Sequence, residues 1–202
     1  MRNLKVFYKT KFDKYGPTLR GAGWSENSKS KKRYKVLINF LKHKRTYKKI
    51  SILDVGCGYG ELTKYLPKNI NYNYTGIDIV KSMIDYANEK NTNKNKRFCL
   101  GDITKIHNKY DFVICNGIFT LKNNLTDLKM KNYVLKCINS FYRCSNVAFA
   151  FNIMSEDVDF KSKILFYPKI KMIIDFLNKK KISELAIDNS SVKFENFIFV
   201  KK

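Results

Sequence analysis

Three acids stand where apolar runs of the chain end. Asp54 lies near the end of "ISILDV", Asp78 near the end of "YNYTGIDI", and Asp102 just beyond "RFCLG". Gly56, Gly58 and Gly60 follow the first acid, alternating with Cys57 and Tyr59. Carboxylates accept hydrogen bonds from hydroxyl and amino groups. Glycines tolerate positive φ and leave no Cβ between the backbone and a ligand. A β-favouring run, a glycine turn and the helix-like "ELTKYL" together form the opening unit of a nucleotide-binding α/β domain. A dinucleotide fingerprint would need glycine at position 61, where this chain has Glu61. A carboxylate there suits a helix start but repels a pyrophosphate.

With its acid-x-G-x-G-x-G pattern, Asp54 to Gly60, the chain resembles the class I S-adenosylmethionine-dependent methyltransferases. The resemblance implies a loop, including Cys57, that passes under the methionine and ribose of the cofactor. It also implies that Asp78, 18 residues after Gly60, accepts both ribose hydroxyls, and that Asp102 accepts from the adenine amino group. Ile79 and Ile103 would sandwich the adenine, and Asn116 and Gly117 would lie near the reactive methyl. Each acid has a plainer alternative, since Asp78 could cap the next helix and Asp102 could hold a turn. Three acids at successive strand ends beside one glycine loop favour the shared role. Longer segments, "KYGPTLRGAGW", "SKKRYKVLINFL", "FAFNIM" and "FENFIFV", resemble a family of small bacterial and phage methyltransferases of unassigned substrate. The chain departs from that family in its lysine enrichment.

These residues need a scaffold. Apolar spacing predicts a helix over 31–43 with Tyr34, Leu37, Ile38 and Leu41 on one face, and strands over 50–55, 72–79, 97–100, 110–115 and 146–153. Helices are expected over about 61–66, 82–89, 127–142 and from Pro168 to about 180. Two strands, 182–188 and 192–200, close the chain as a hairpin around Asn189-Ser190-Ser191. The expectation is an α/β, Rossmann-like, seven-stranded, mostly parallel sheet with an antiparallel C-terminal strand and helices on both faces. One methyltransferase domain would span 1–202, with an N-terminal lid and helix over 1–45 and a cofactor-binding core over 46–202. Trp24, the sole tryptophan, lies in "GAGWSEN" and would close over cofactor or acceptor. Arg33 on the following helix would meet the methionine carboxylate.

Composition narrows the partners. The net charge is +23, yet only 6 of the 40 positive residues are arginine, and asparagine, isoleucine, phenylalanine and tyrosine are abundant. A/T-rich coding raises lysine in this way without selecting a nucleic-acid surface, which would lean on arginine. No apolar run reaches the ~20 residues of a membrane span. The five cysteines form no C-x-x-C pair, so neither a zinc site nor a disulfide framework is expected, and the protein is placed in the cytoplasm.

His43 and His107 are weak candidates for a general base, no nucleophile stands out, and the catalytic residue stays unassigned. Asn116 is not followed by the Pro-Pro-aromatic of amino-methylating DNA enzymes. The leading expectation is methyl transfer from S-adenosylmethionine to a small-molecule or sugar-like acceptor. An RNA methyltransferase would instead gather lysines at the cofactor mouth and lose affinity steeply with salt. A non-catalytic cofactor-binding module is the third reading. Acceptor atom and oligomeric state are left open.

Overall fold

The computed structural model describes residues 2–26, 28–42, 49–68 and 71–202. Its elements are helices α1 (Arg2–Tyr15), α2 (Ser30–Lys42), α3 (Lys81–Lys90), α4 (Asp127–Cys144) and α5 (Ile170–Leu177), with strands β1 (Ile50–Val55), β2 (Tyr72–Asp78), β3 (Lys96–Leu100), β4 (Tyr110–Cys115), β5 (Ser145–Met154), β6 (Glu184–Asp188) and β7 (Glu195–Lys201). The seven strands form one sheet in the order β3-β2-β1-β4-β5-β7-β6. Pairs among β1 to β5 are parallel, and β7 runs antiparallel to both β5 and β6. The expected seven-stranded sheet with one reversed C-terminal strand is therefore present.

Two-residue periodicity sends alternate side chains to opposite faces. On β5, Phe149, Phe151 and Ile153 join the core under α4 and α5, while Ala148 and Ala150 join the other face with Leu37, Ile38 and Leu41 of α2. Phe141, Phe149 and Phe151 are fully buried, each contributing on the order of 2–3 kcal/mol by burial. Small alanines on the second face leave room for α2 to lie close.

Several expected boundaries move. The helix expected over 61–66 is a single 3-10 turn, Glu61–Lys64, because Pro67 arrives too soon for an α-helix to propagate. The helix expected from Pro168 to 180 covers only Ile170–Leu177, with Lys169 still extended before it. β6 and β7 start at Glu184 and Glu195; the Asp188 carboxylate accepts from the Ser190 and Ser191 amides and so fixes the start of their connection. Helix α1 was not expected. Its Leu4 and Phe12 are buried, and Phe12 packs with Tyr59 and Tyr86. His43 lies outside the described residues.

Candidate functional site

The chain builds β1, β2 and β3 outward in one direction, then crosses to β4 and β5 on the other side of β1. Loops leaving β1 and β4 therefore diverge at a topological switch point, where α/β sheets bind ligands. A cavity lies there. Its floor comes from the ends of β1 (Asp54 to Gly58), β2 (Ile77 to Ile79), β3 (Gly101 to Ile103) and β4 (Asn116 to Ile118). Its roof comes from Leu4, Phe7 and Tyr8 of α1 and from Ala22, Gly23 and Trp24. Segments 120–123 and 164–166 are laced together, Lys122 N donating to Ile164 O and Phe166 N to Thr120 O, both at 2.9 Å. That lacing puts Thr120, Leu121, Ile164 and Leu165 on the remaining wall.

Gly58, at φ 55, borders open space: a Cβ there would find only Met83 Sδ, at 3.9 Å. Gly56 is different, since a Cβ would stand 2.2 Å from Ile118 Cγ2. That close approach locks the loop after β1 against the loop after β4. Gly60 lies off the cavity wall and turns the chain over the ring of Phe98.

The acids occupy distinct settings. Asp78 accepts from Gly58 N through Oδ2 and from Val80 N through Oδ1, both at 2.9 Å. Burial raises its pKa, and the backbone amides of Val80, Gly58 and Ile79 oppose the rise. It thus both braces the glycine loop and lines the cavity. Asp54 is 2% exposed and accepts from the Tyr74 hydroxyl at 2.6 Å. Burial pushes its carboxyl up to about 7; the Tyr74 bond opposes the rise and nearby Asp78 adds to it. Asp102 accepts from Thr104 N at 2.9 Å through Oδ1, so it holds a turn and lines the cavity at once. Tyr8 is pushed up by burial and by Asp78, and Tyr34 by burial and by Asp54, which puts both phenols close to the acids.

Beside Asn116, whose buried Oδ1 has no hydrogen-bond partner, Gly117 N donates to Asn152 Oδ1 at 2.8 Å. Asn152 Nδ2 donates to Glu195 Oε2 at 2.8 Å, and Arg33 Nε donates to Glu195 Oε1 at 2.7 Å. The Arg33 guanidinium lies 4.5 Å from the Trp24 ring centroid, and Trp24 packs on Gly117. Five residues from separate segments form a closed ring of contacts behind the cavity wall.

Of the expected site residues, Trp24, Asp54, Gly56, Cys57, Gly58, Asp78, Ile79, Asp102, Ile103, Asn116 and Gly117 meet at this cavity; Gly60 and Arg33 do not line it. Arg33 is instead committed to Glu195 and Trp24, although its buried Nη1 has no partner. Leu4, Phe7, Tyr8, Tyr34 and Tyr133 also line the cavity, beyond the residues expected there. Leu4, Tyr8 and Phe12 stand four residues apart, a helical spacing that was there to be read. Tyr34, expected on one helix face with Leu37, Ile38 and Leu41, lines the cavity as well.

The wall carries an unexpected charge. Lys and Arg make up 40 of the 202 residues, yet among the described residues no Lys, Arg or His lines the cavity, whereas Asp54, Glu61, Asp78 and Asp102 do. Among the described residues no His/Cys/Asp/Glu group could hold a metal ion, and no helix is long and apolar enough to cross a membrane.

The family model described as a methyltransferase domain matches residues 47–165. A malonyl-[acyl-carrier protein] O-methyltransferase of Acetivibrio thermocellus is 41% identical over 80 residues, covering 38% of this chain and 28% of that protein. The enzyme of the same name from Priestia megaterium is 35% identical over 100 residues, covering 48% of this chain and 36% of that one. The chain thus spans about a third of the length of these curated relatives. Magnesium protoporphyrin IX methyltransferase of Synechocystis PCC 6803, solved with bound SAH, superposes with a TM-score of 0.76 at 14% identity, covering 100% of this chain and 99% of that one. At that identity the likeness is one of fold.

Proposed function

The chain belongs to the methyltransferase-domain family, and we propose that it transfers the methyl group of S-adenosylmethionine to a small-molecule acceptor held in the cavity above β1 to β4. The observation that carries this reading is the meeting of Asp54, Asp78 and Asp102 around Gly58, the one loop glycine with open space before it. The residues suit the cofactor. Gly58 leaves a cradle that any side chain would fill. Asn116 Oδ1 is a buried acceptor without a donor, as the ammonium of a methionine moiety requires. Asp78 keeps lone pairs free for ribose hydroxyls, and Asp102 has its second oxygen for the adenine amino group.

When bound, the cofactor supplies a methyl carbon on a sulfonium, so an acceptor lone pair forms the new bond while the carbon–sulfur pair stays on sulfur. The chain's share is orientation and exclusion of water. Trp24, Phe7 and Leu4 roof the site, and Leu121, Ile164 and Leu165 wall it with apolar surface. No lysine or arginine among the described residues lines the cavity wall, which favours a small acceptor over RNA, although Lys11 and Arg20 line an adjoining groove that shares Phe7, Gly23 and Trp24 with the cavity. A carboxylate acceptor, such as the malonyl group named for the Acetivibrio relative, would likewise find no counter-charge on the wall among the described residues. All five cysteines are free thiols, which supports a cytoplasmic setting. The packing of α1 and Trp24 on the core supports one domain over 1–202.

Calorimetric titration with S-adenosylhomocysteine tests the reading. Micromolar-range binding that disappears in Asp78→Ala is expected; absence of binding by the unmodified protein would overturn it. Binding to RNA that falls steeply with salt, or cofactor binding without turnover on any acceptor, would favour the two alternatives in turn.

A further inference from the structure

Outside the cavity, its roof borders charge of the opposite sign. An adjoining groove shares Phe7, Gly23 and Trp24 with the cavity and adds Lys11, Arg20 and Glu26. Phe7, Lys11 and Tyr15 stand four residues apart on α1, so they form a stripe beside the inner face of Leu4, Tyr8 and Phe12. The Lys11 ammonium lies 5.7 Å from the Phe7 ring centroid and 5.5 Å from that of Tyr15. Gly16, at φ 60, turns the chain back, and the Arg20 guanidinium lies 4.4 Å from the same Tyr15 centroid. One aromatic ring therefore holds two cations beside the groove. A hydrogen bond from Lys14 and the charges of Lys14, Arg20 and Lys11 lower the Tyr15 phenol from its ordinary pKa, the mark of a positive potential. Lys11 has no carboxylate partner among the described residues. Arg20 meets Glu26 at 3.3 Å, between side chains 52% and 74% exposed. Such an exposed pair contributes about 1 kcal/mol or less, so an incoming anion displaces Glu26 with little loss.

Cavity and groove thus divide the charge between them. Among the described residues, the cavity wall carries acids and no cation, and the groove carries two cations and one acid. Trp24 belongs to both, and its indole rests on Gly117 in the loop after β4. A single side chain therefore separates the groove from the loop where the cofactor reading puts the reactive methyl. Resting on that reading, we propose that the acceptor is an amphipathic small molecule whose anionic group, a phosphate or a carboxylate, is held by Lys11 and Arg20 while its apolar part passes Phe7 and Trp24 into the cavity. Arg20 offers a planar fork to two oxygens, and Lys11 adds a point charge. The apolar part then faces Leu121, Ile164 and Leu165 on the far wall. The anion stays outside, because the cavity wall offers it carboxyl groups and no cation among the described residues. The division of charge fixes which end of the acceptor enters, and so which atom receives the methyl.

The test titrates the protein, loaded with S-adenosylhomocysteine at neutral pH, with phenyl phosphate, benzoate and phenol. Calorimetry gives the affinities, and the emission of Trp24 reports occupancy beside it. At least one anionic probe should bind about tenfold or more tightly than phenol and change the emission. The stronger of the two anions identifies the group that the groove takes. Lys11→Gln with Arg20→Gln should reduce the affinity for that anion to the level of phenol, with circular dichroism confirming the fold. Lys171→Gln with Lys179→Gln, at exposed positions on and just after α5, should leave it unchanged, which separates the groove from the general positive charge. Equal affinities for the three probes, a loss as large in the α5 pair as in the groove pair, or no binding of any probe would overturn the proposal. The cofactor reading is judged separately, by the loading step. Binding of S-adenosylhomocysteine without anion preference leaves that reading intact, and anion preference without binding of S-adenosylhomocysteine overturns that reading alone.

Discussion

The indole of Trp24 lies so close to the α-carbon of Gly117 that a methyl group on that carbon would stand 2.4 Å from Trp24 Cζ2. Gly117 also adopts φ 84, where side chains are disfavoured. Gly117→Ala should therefore displace the indole and strain the backbone by about 1–2 kcal/mol. Because Trp24 is the sole tryptophan, its emission spectrum reports the displacement directly. A shifted spectrum with at least tenfold weaker S-adenosylhomocysteine binding is expected. Unchanged emission and affinity would show that Trp24 is not held against Gly117.

Behind that contact, Arg33 and Glu195 join α2 to the first residue of β7, their side chains only 11% and 4% exposed. Removing one partner of a buried pair leaves the other charge uncompensated, at a cost of about 3–5 kcal/mol. Glu195→Ala should lower stability in urea by that order, with Asn152 losing its acceptor as well. A double replacement, Arg33→Met with Glu195→Met, should cost clearly less than the sum of the two single changes. Additive costs would mean the pair is not coupled.

That pair also shows where sequence reading reaches its limit. Glu195 is 162 residues from Arg33, and no local pattern announces such a partner, so Arg33 was assigned to the cofactor instead. The acids at the strand ends were legible for the opposite reason. Asp54, Asp78 and Asp102 each interrupt an apolar run at its carboxyl end, and a parallel sheet gathers those ends on one edge. The sheet itself followed from strand periodicity and from the final hairpin. Ile164 and Leu165 reach the cavity through the crossing of 120–123 with 164–166, and Tyr133 reaches it from α4, tertiary placements without a sequence signature. Helix α1 was hidden by its lysines, although Leu4, Tyr8 and Phe12 marked its inner face.

The raised carboxyl of Asp54 makes the free protein sensitive to pH. The folded state holds this proton up to about pH 7, whereas the unfolded chain releases it near the ordinary value of 3.8. Between those values the folded state binds more protons, so stability falls as pH rises, by up to about 1.4 kcal/mol per pH unit, and levels off above 7. Asp54→Asn should remove this contribution. The variant's melting temperature relative to the unmodified protein should accordingly be higher at pH 8 than at pH 5. A difference that does not change with pH would mean that Asp54 is ionised throughout.

Gly58 and Gly60 separate binding from folding within one loop. Both adopt positive φ, 55 and 87, so alanine strains the backbone at either. At Gly58 the new methyl meets nothing nearer than Met83 Sδ at 3.9 Å and projects into the cavity. Gly58→Ala should lower stability by about 1 kcal/mol and abolish S-adenosylhomocysteine binding, because the methyl takes the space of the ligand. At Gly60 the methyl would stand 2.9 Å from Phe98 Cε1 and 3.0 Å from Cζ, and Phe98 is buried under the loop. Overpacking then adds about 1–3 kcal/mol to the strain, so Gly60→Ala should lower the melting temperature more than Gly58→Ala does. Its folded fraction should still bind S-adenosylhomocysteine, because position 60 lies off the cavity wall. Measuring both properties on both variants gives a crossed pattern: stable and non-binding against unstable and binding. Loss of binding in Gly60→Ala alone would move the cofactor away from Gly58 and refute the cavity as its seat.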